Sequence, residues 1–244
     1  MRIAVLDTPD DVARAVARRV AEVLRNNPSV VLGLPTGRTP VAAYAELRRL
    51  HLQGQADFAA ASTFNLDEFA GVAPSHPGSF RGFMDTHLFN GINLLPGRIH
   101  FLNGAATDLD AECARYEGDI AAAGGIDLQI LGIGGNGHIG FNEPGEELVA
   151  ATHRVTLADS TRRDNAALFG GDPAQVPREA LSMGMGTILK AAELVLIATG
   201  DRKAQCIERA VRGPVTTRLP ASFLQLHRQV ELYLDRAAAS RLAA

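Results

Sequence analysis

The run GIGGNGHIGFNEPG at 132–145 sets four glycines ahead of His138 and follows it with Asn142, Glu143 and Pro144. Glycine gives up more backbone freedom on folding than any other residue, so a plain connector has no use for so many. They make sense where the backbone must lie against a ligand and aim an imidazole, the side chain that titrates near neutral pH, at its target. Asp67 and Glu68 supply further titratable groups, at the point where the apolar run STFNL stops abruptly at two carboxylates. A carboxylate near a His–Glu pair provides a base, an acid and an orienting group, which is what proton transfers on a sugar require. A metal centre is not expected. His138 and Glu143 stand five apart in a loop rather than on one helical face, and no second histidine is placed as a ligand.

Two further segments suit an anion. In LGLPTGRTP (32–40), Gly37 lets the backbone come close to a ligand, and Thr36 and Thr39 offer hydroxyls beside the unpaired amides of a helix start. The loop lacks the second glycine and the Lys-Ser/Thr ending of a Walker sequence. Read alone, it serves equally well as a helix cap with a tight turn. In TGDRKAQ (199–205), Lys203 begins a helix after the apolar run ELVLIATG. It is either solvated or reaches a phosphate.

The elements that would position these groups alternate between short apolar runs and helical stretches, the pattern of βα units around a mainly parallel sheet. Strands are expected at 2–6, 29–34, 62–66, 98–102, 126–132, 193–199 and 229–234. Thr8 caps a first helix, with Pro9 at its first position and Val12, Val16, Val20 and Val23 along one stripe. A second helix opens at Thr39–Pro40 and ends near Gly54. Others are expected at 79–89, 108–122, 158–169, 201–212 and 235–243, with a polar loop over 67–78. No repeat or long linker divides the chain. The expected fold is therefore a single α/β domain over 1–244, a doubly wound, mainly parallel sheet with helices on both faces in the Rossmann-like manner. In such folds ligands bind outside the carboxyl ends of the strands, and the loops 35–39, 67–78 and 134–145 all lie there.

Composition narrows the partners. A formal net charge of −3 and 21% charged residues leave no Lys/Arg block long enough for a nucleic-acid or membrane face. No segment approaches 18 consecutive apolar residues, and the opening MRIAVLDTPDD has no apolar targeting region. Cys113 and Cys206 are too far apart and too few for a disulfide framework, so both are expected reduced and half-buried in a cytoplasmic protein. A small anionic ligand, needing only one or two placed cations, fits these limits.

LGLPTGRTP, FNLDEF, LGIGGNGHIGFNEPG, VPREALSMGMGTIL and TGDRKAQ, in this order and spanning nearly the whole chain, resemble the glucosamine-6-phosphate deaminase family. The resemblance implies deamination and isomerisation of glucosamine 6-phosphate to fructose 6-phosphate and ammonia, in amino-sugar catabolism, by a monomer or homo-oligomer without metal or organic cofactor. It implies Asp67 as the base that moves a proton between C1 and C2. His138 would open the pyranose ring, with Glu143 orienting it and Asn136 nearby, and Thr36, Gly37, Thr39 and Lys203 would hold the phosphate. Some positions depart from the family. Asn136 stands where longer members carry Asp, and Phe69 and Phe80 stand where tyrosines are usual. Arg38 replaces a small residue in the phosphate loop. Ala167 occupies the place of an arginine that contacts phosphate, and Arg38 either replaces that contact or points into solvent. His153 and Val155 stand where allosteric members carry a basic pair.

Three alternatives remain on the same fold. Galactosamine 6-phosphate is an alternative epimer that the sequence does not exclude. A 6-phosphogluconolactonase-like hydrolase would not need an aspartate placed to move a carbon-bound proton. A non-catalytic sugar-phosphate sensor would be expected to carry a helix-turn-helix segment, for which a first strand at residue 2 leaves no room, and to lose Asp67 or His138.

Overall fold

Seven apolar runs pair as one parallel sheet in this computed structural model, which describes residues 1–242. They are β1 (Arg2–Leu6), β2 (Val31–Leu34), β3 (Ser62–Asn65), β5 (Ile99–His100), β6 (Leu128–Leu131), β9 (Glu193–Ala198) and β10 (Val230–Asp235). Three more strands, β4 (Asp67–Phe69), β7 (His153–Thr156) and β8 (Glu179–Ser182), make a separate antiparallel sheet in the order β4-β8-β7. The helices are α1 (Pro9–Asn26), α2 (Val41–Leu52), α3 (Phe80–His87), α4 (Leu109–Ala122), α5 (Asp159–Asn165), α6 (Met185–Leu189) and α7 (Ala204–Arg212).

The parallel sheet runs β1-β10-β9-β6-β2-β3-β5. Both faces of β2 and β6 are buried, which is why these strands are apolar apart from the buried Gln129 of β6. On one face lie α1, α2 and α3, contributing Val12, Val16, Val20, Leu24, Tyr44, Leu47 and Met84. On the other lie α4, α6 and α7, contributing Cys113, Tyr116, Ile120, Ile188, Cys206 and Ile207. The stripe on α1 shows the driving force. Val12, Val16, Val20 and Leu24 are each no more than 2% exposed, and burying each side chain is worth about 1.5–3 kcal/mol. Thr8 caps this helix by accepting from the Asp11 amide at 3.1 Å. Both cysteines are free and fully buried rather than half-buried, Cys206 donating to the Gly134 carbonyl at 3.3 Å.

Strand order reverses between β2 and β6: the chain winds outward through β3 and β5 on one side and through β9 and β10 on the other. Loops leaving the carboxyl ends of β2 and β6 therefore diverge and leave a crevice.

Several expected elements differ. The loop expected over 67–78 begins with strand β4, because Asp67, Glu68 and Phe69 pair with Ser182, Leu181 and Ala180 of a segment remote in sequence. The strand expected at 98–102 shortens to Ile99–His100, preceded by a 3₁₀ turn at Pro96–Arg98. The helix expected at 158–169 finishes as a 3₁₀ turn over Ala166–Phe169, closed by Gly170 at φ +72°. The helix expected at 235–243 does not form over the described residues, and position 243 lies outside them. The Asp235 carboxylate accepts from the Ala238 and Gly200 amides, and the segment closes as turns with mixed spacing.

Candidate active site

The 132–145 loop turns tightly ahead of His138. The Gly134 carbonyl accepts from the Gly137 amide at 3.1 Å, and Gly137 takes φ +91°, a conformation side chains rarely adopt. The His138 ring lies on the bare Cα of Gly134, where a Cβ would meet it at 2.3 Å. Asn136 receives the His138 amide on its Oδ1 at 3.1 Å and donates through Nδ2 to Glu143 Oε2 at 2.8 Å. Glu143 Oε2 lies 3.5 Å from His138 Nδ1, longer than a good hydrogen bond. Its other oxygen accepts from the Thr161 hydroxyl of α5. Burial opposes ionisation of Glu143, but His138, Thr161 and Asn136 outweigh it and hold the carboxyl down at about 2. Glu143 is therefore a fixed anion beside the imidazole, able to set its orientation and support its charge.

Asp67 and Glu68 are not exposed acids at a strand end: they are 6% and 2% exposed. Asp67 lies opposite Ser182 in the antiparallel sheet. The Gly140 backbone, at φ +58°, packs so near that an added Cβ would lie 3.1 Å from Ser182 Oγ and 3.5 Å from Asp67 Oδ2. The His138 loop and the Asp67 strand thus meet at a position only glycine suits. Burial pushes the Asp67 carboxyl up to about 8, the neighbouring Glu68 adds to this, and a hydrogen bond from Thr36 opposes it. Asp67 Oδ1 is fully buried and has no hydrogen-bond partner among the described residues. A buried carboxyl poised near neutrality is a candidate for proton transfer.

Of the anion-binding candidates, Thr36 reaches Asp67 and Lys203 reaches the His138 loop. Thr36, Gly37, Arg38 and Thr39 leave the carboxyl end of β2, with Gly37 at φ +94° and nothing within 4 Å of where its Cβ would be. The helix start differs slightly from expectation: α2 begins at Val41, with Pro40 as its cap and no side-chain cap bond, so Thr39 lies in the preceding turn. Lys203 donates to the Ile133 carbonyl, at the start of the His138 loop, at 2.7 Å. Burial lowers its ammonium pKa, and Arg38 lies near enough to lower it further. Arg38 itself is exposed. Ala167 is also exposed, in the 3₁₀ turn after α5.

Phe69 and Phe80 are buried with ring centroids 4.6 Å apart, and Phe141 completes the cluster at 5.5 Å from Phe69. They pack together in an apolar cluster with Val72, Leu157 and Val176. Reading the sequence missed Thr161 and Ser182, which touch Glu143 and pair with Asp67. Neither has a local signal, since each is brought in by a distant element. Among the described residues, no group of three or more His, Cys, Asp or Glu side chains is arranged to hold a metal ion. No described helix is long and apolar enough to cross a membrane.

The family of glucosamine-6-phosphate isomerases and 6-phosphogluconolactonases matches residues 7–233. Glucosamine-6-phosphate deaminase 1 of Giardia intestinalis is 47% identical over 225 residues, covering 92% of this chain and 85% of that protein. Glucosamine-6-phosphate deaminase 2 of Bacillus subtilis is 46% identical over 243 residues, covering 99% of this chain and 98% of that protein. Among solved structures, a monomeric glucosamine-6-phosphate deaminase superposes with a TM-score of 0.95 at 40% identity, covering 99% of this chain and all of the other. A 6-phosphogluconolactonase from Trypanosoma brucei, at 19% identity and TM-score 0.78, shares the fold and covers 99% of this chain and 98% of its own.

Proposed function

The chain belongs to the glucosamine-6-phosphate isomerase/6-phosphogluconolactonase family, and from that premise we propose how it acts on its substrate. It is an enzyme that deaminates and isomerises glucosamine 6-phosphate to fructose 6-phosphate and ammonia. In our reading His138 opens the pyranose ring, oriented by Glu143 with Asn136 bracing both. Asp67 then removes the C2 proton and returns it at C1 through an enolamine, after which water adds at C2 and ammonia leaves. Thr36, Gly37, Thr39 and Lys203 hold the phosphate through amides, hydroxyls and an ammonium, and Arg38 supplies a second cation. Functional residues drawn from 36 to 203 support treating the chain as one domain. A cytoplasmic site of action in amino-sugar catabolism, as a monomer or homo-oligomer, fits a chain without a described membrane-crossing helix.

One observation carries the mechanism: Asp67, pushed up to about 8 by burial, brings its Oδ2 close to the Gly140 backbone of the loop that bears His138. Lactone hydrolysis needs no such carbon base. The test is ammonia release from a panel of 2-amino-hexose 6-phosphates, run beside hydrolysis of 6-phosphogluconolactone. Fast ammonia release from the gluco epimer is expected. Lactone hydrolysis without ammonia release would overturn the assignment, and faster turnover of the galacto epimer would reassign the substrate.

A further inference from the structure

Glu68 takes no part in the chemistry above, yet it is more deeply buried than Asp67 and more fully bonded. Successive side chains on a strand point to opposite faces, so on β4 Asp67 turns toward the Gly140 backbone while Glu68 turns toward α3. Its Oε1 accepts from the Phe69 and Phe80 amides, each at 2.9 Å, and its Oε2 from the Arg81 amide at 3.0 Å. Two of these donors are the first two amides of α3, which have no partner inside the helix. Ser79 serves the next one, accepting from the Gly82 amide at 2.9 Å. A carboxylate from a strand thus does the work of a helix cap, at the positive end of the helix dipole, where a negative charge is favoured.

An amide or a hydroxyl could have capped these donors without bringing a second acid next to the catalytic one. We propose that Glu68 is a positioning residue with two linked tasks: it ties β4 to the start of α3, and its negative charge behind Asp67 keeps that carboxyl a strong base. The His138 loop, whose Gly140 packs on Asp67, also carries the anion Glu143, which is engaged by His138, Thr161 and Asn136, and the Thr36 loop carries Arg38, which acts on Lys203. Ser182 of β8, Asn142 and Thr36 are neutral, and Tyr44 of α2 and Tyr116 of α4 are pushed well above their ordinary values by burial, so they stay uncharged. The Arg81 guanidinium of α3 is engaged by Asp85 at 3.0 Å. Burial pushes Glu68 itself up to about 7, with the three amides holding against it, and the Glu68 charge adds to the rise at Asp67.

The inference rests on the reading of Asp67 as the base, and its test separates the two. Carboxyl carbons of Asp67 and Glu68 are followed by NMR from pH 5 to 9.5 in the free enzyme, with Asp67→Asn for assignment, and the acid limb of kcat/KM is measured in parallel. In the wild type each carboxyl should respond to the other's ionisation, giving two overlapping steps. In Glu68→Gln the Asp67 midpoint and the acid limb should both move down by on the order of one pH unit, with KM little changed. Ser79→Ala, which removes a neighbouring cap of α3 without altering charge, should lower Tm and leave the midpoint in place. An Asp67 midpoint unmoved in Glu68→Gln, or moved as far by Ser79→Ala, overturns the proposal. If Glu68→Gln does not fold, single independent wild-type steps overturn it equally well. A midpoint that moves in an enzyme without ammonia-releasing activity would sustain the coupling and sink the functional reading instead.

Discussion

Replacing Asp67 by Asn should make the protein more stable as the pH rises, while removing its activity. In the folded chain the carboxyl ionises at about 8, against 3.8 in an unconstrained aspartate, because burial penalises the charged form. The sign follows from linkage. A group whose folded pKa is raised contributes stability that is complete below its unfolded pKa and is lost as pH climbs through the folded one. Between about pH 4 and 8 the unfolded chain gains by ionising Asp67 and the folded chain does not, so the wild type loses stability across that window. The interval from 3.8 to about 8, at about 1.36 kcal/mol per pH unit, sets a ceiling of about 6 kcal/mol. Local relaxation and entry of water around the ionised group reduce this, leaving about 2–4 kcal/mol to appear between pH 5 and 8.5. Asparagine keeps the shape and carries no proton, so the variant escapes the loss. Urea unfolding of both proteins at pH 5, 6.5 and 8.5, each extrapolated linearly to water, reads the difference directly. A stability gap between variant and wild type that stays constant to within about 0.5 kcal/mol over this range would refute both the buried, protonatable Asp67 and the base role built on it. The same variant should turn over at least about 10²-fold more slowly, the lower range for loss of a general base.

His138→Gln should slow turnover of the closed pyranose more than that of a pre-opened substrate analogue, and equal losses on both would remove ring opening from its role. Arg38→Ala should raise KM by roughly one to two decades with kcat nearly unchanged, since a charge-assisted hydrogen bond to a remote phosphate is worth about 1.5–3 kcal/mol of uniform binding. Adding Ala167→Arg should recover most of that loss, and an unchanged KM together with unchanged inhibition by free phosphate would show that Arg38 only meets solvent. With His153 and Val155 on β7 in place of a basic pair, rate curves should be hyperbolic and indifferent to N-acetylglucosamine 6-phosphate. Sigmoidal curves that this ligand straightens would contradict the expectation.

Much of this molecule is legible along the chain because the signals are local. Alternating apolar runs and capped helices specify the parallel layers: the α1 cap at Thr8 and the stripe from Val12 to Val20 depend only on residues within a few turns of one another. The glycines around His138 belong to the same class, since Gly137 and Gly140 adopt positive φ values that almost any other residue would resist. What the sequence could not specify is whatever depends on two distant segments meeting. Strand β4 is too short to show a period, and exists because Ser182, Leu181 and Ala180 arrive to pair with it. That pairing seals Asp67 and Glu68 from water, and burial is the leading cause that lifts both acids toward neutrality. Thr161 reaches Glu143 from α5, and Glu68 reaches the first amides of α3, by contacts that no spacing rule anticipates. Residue types and periodicity therefore decided which groups were available for the chemistry. Desolvation and long-range hydrogen bonding decided their charge states, because both are properties of the assembled surroundings and have no value until the chain has closed around the group.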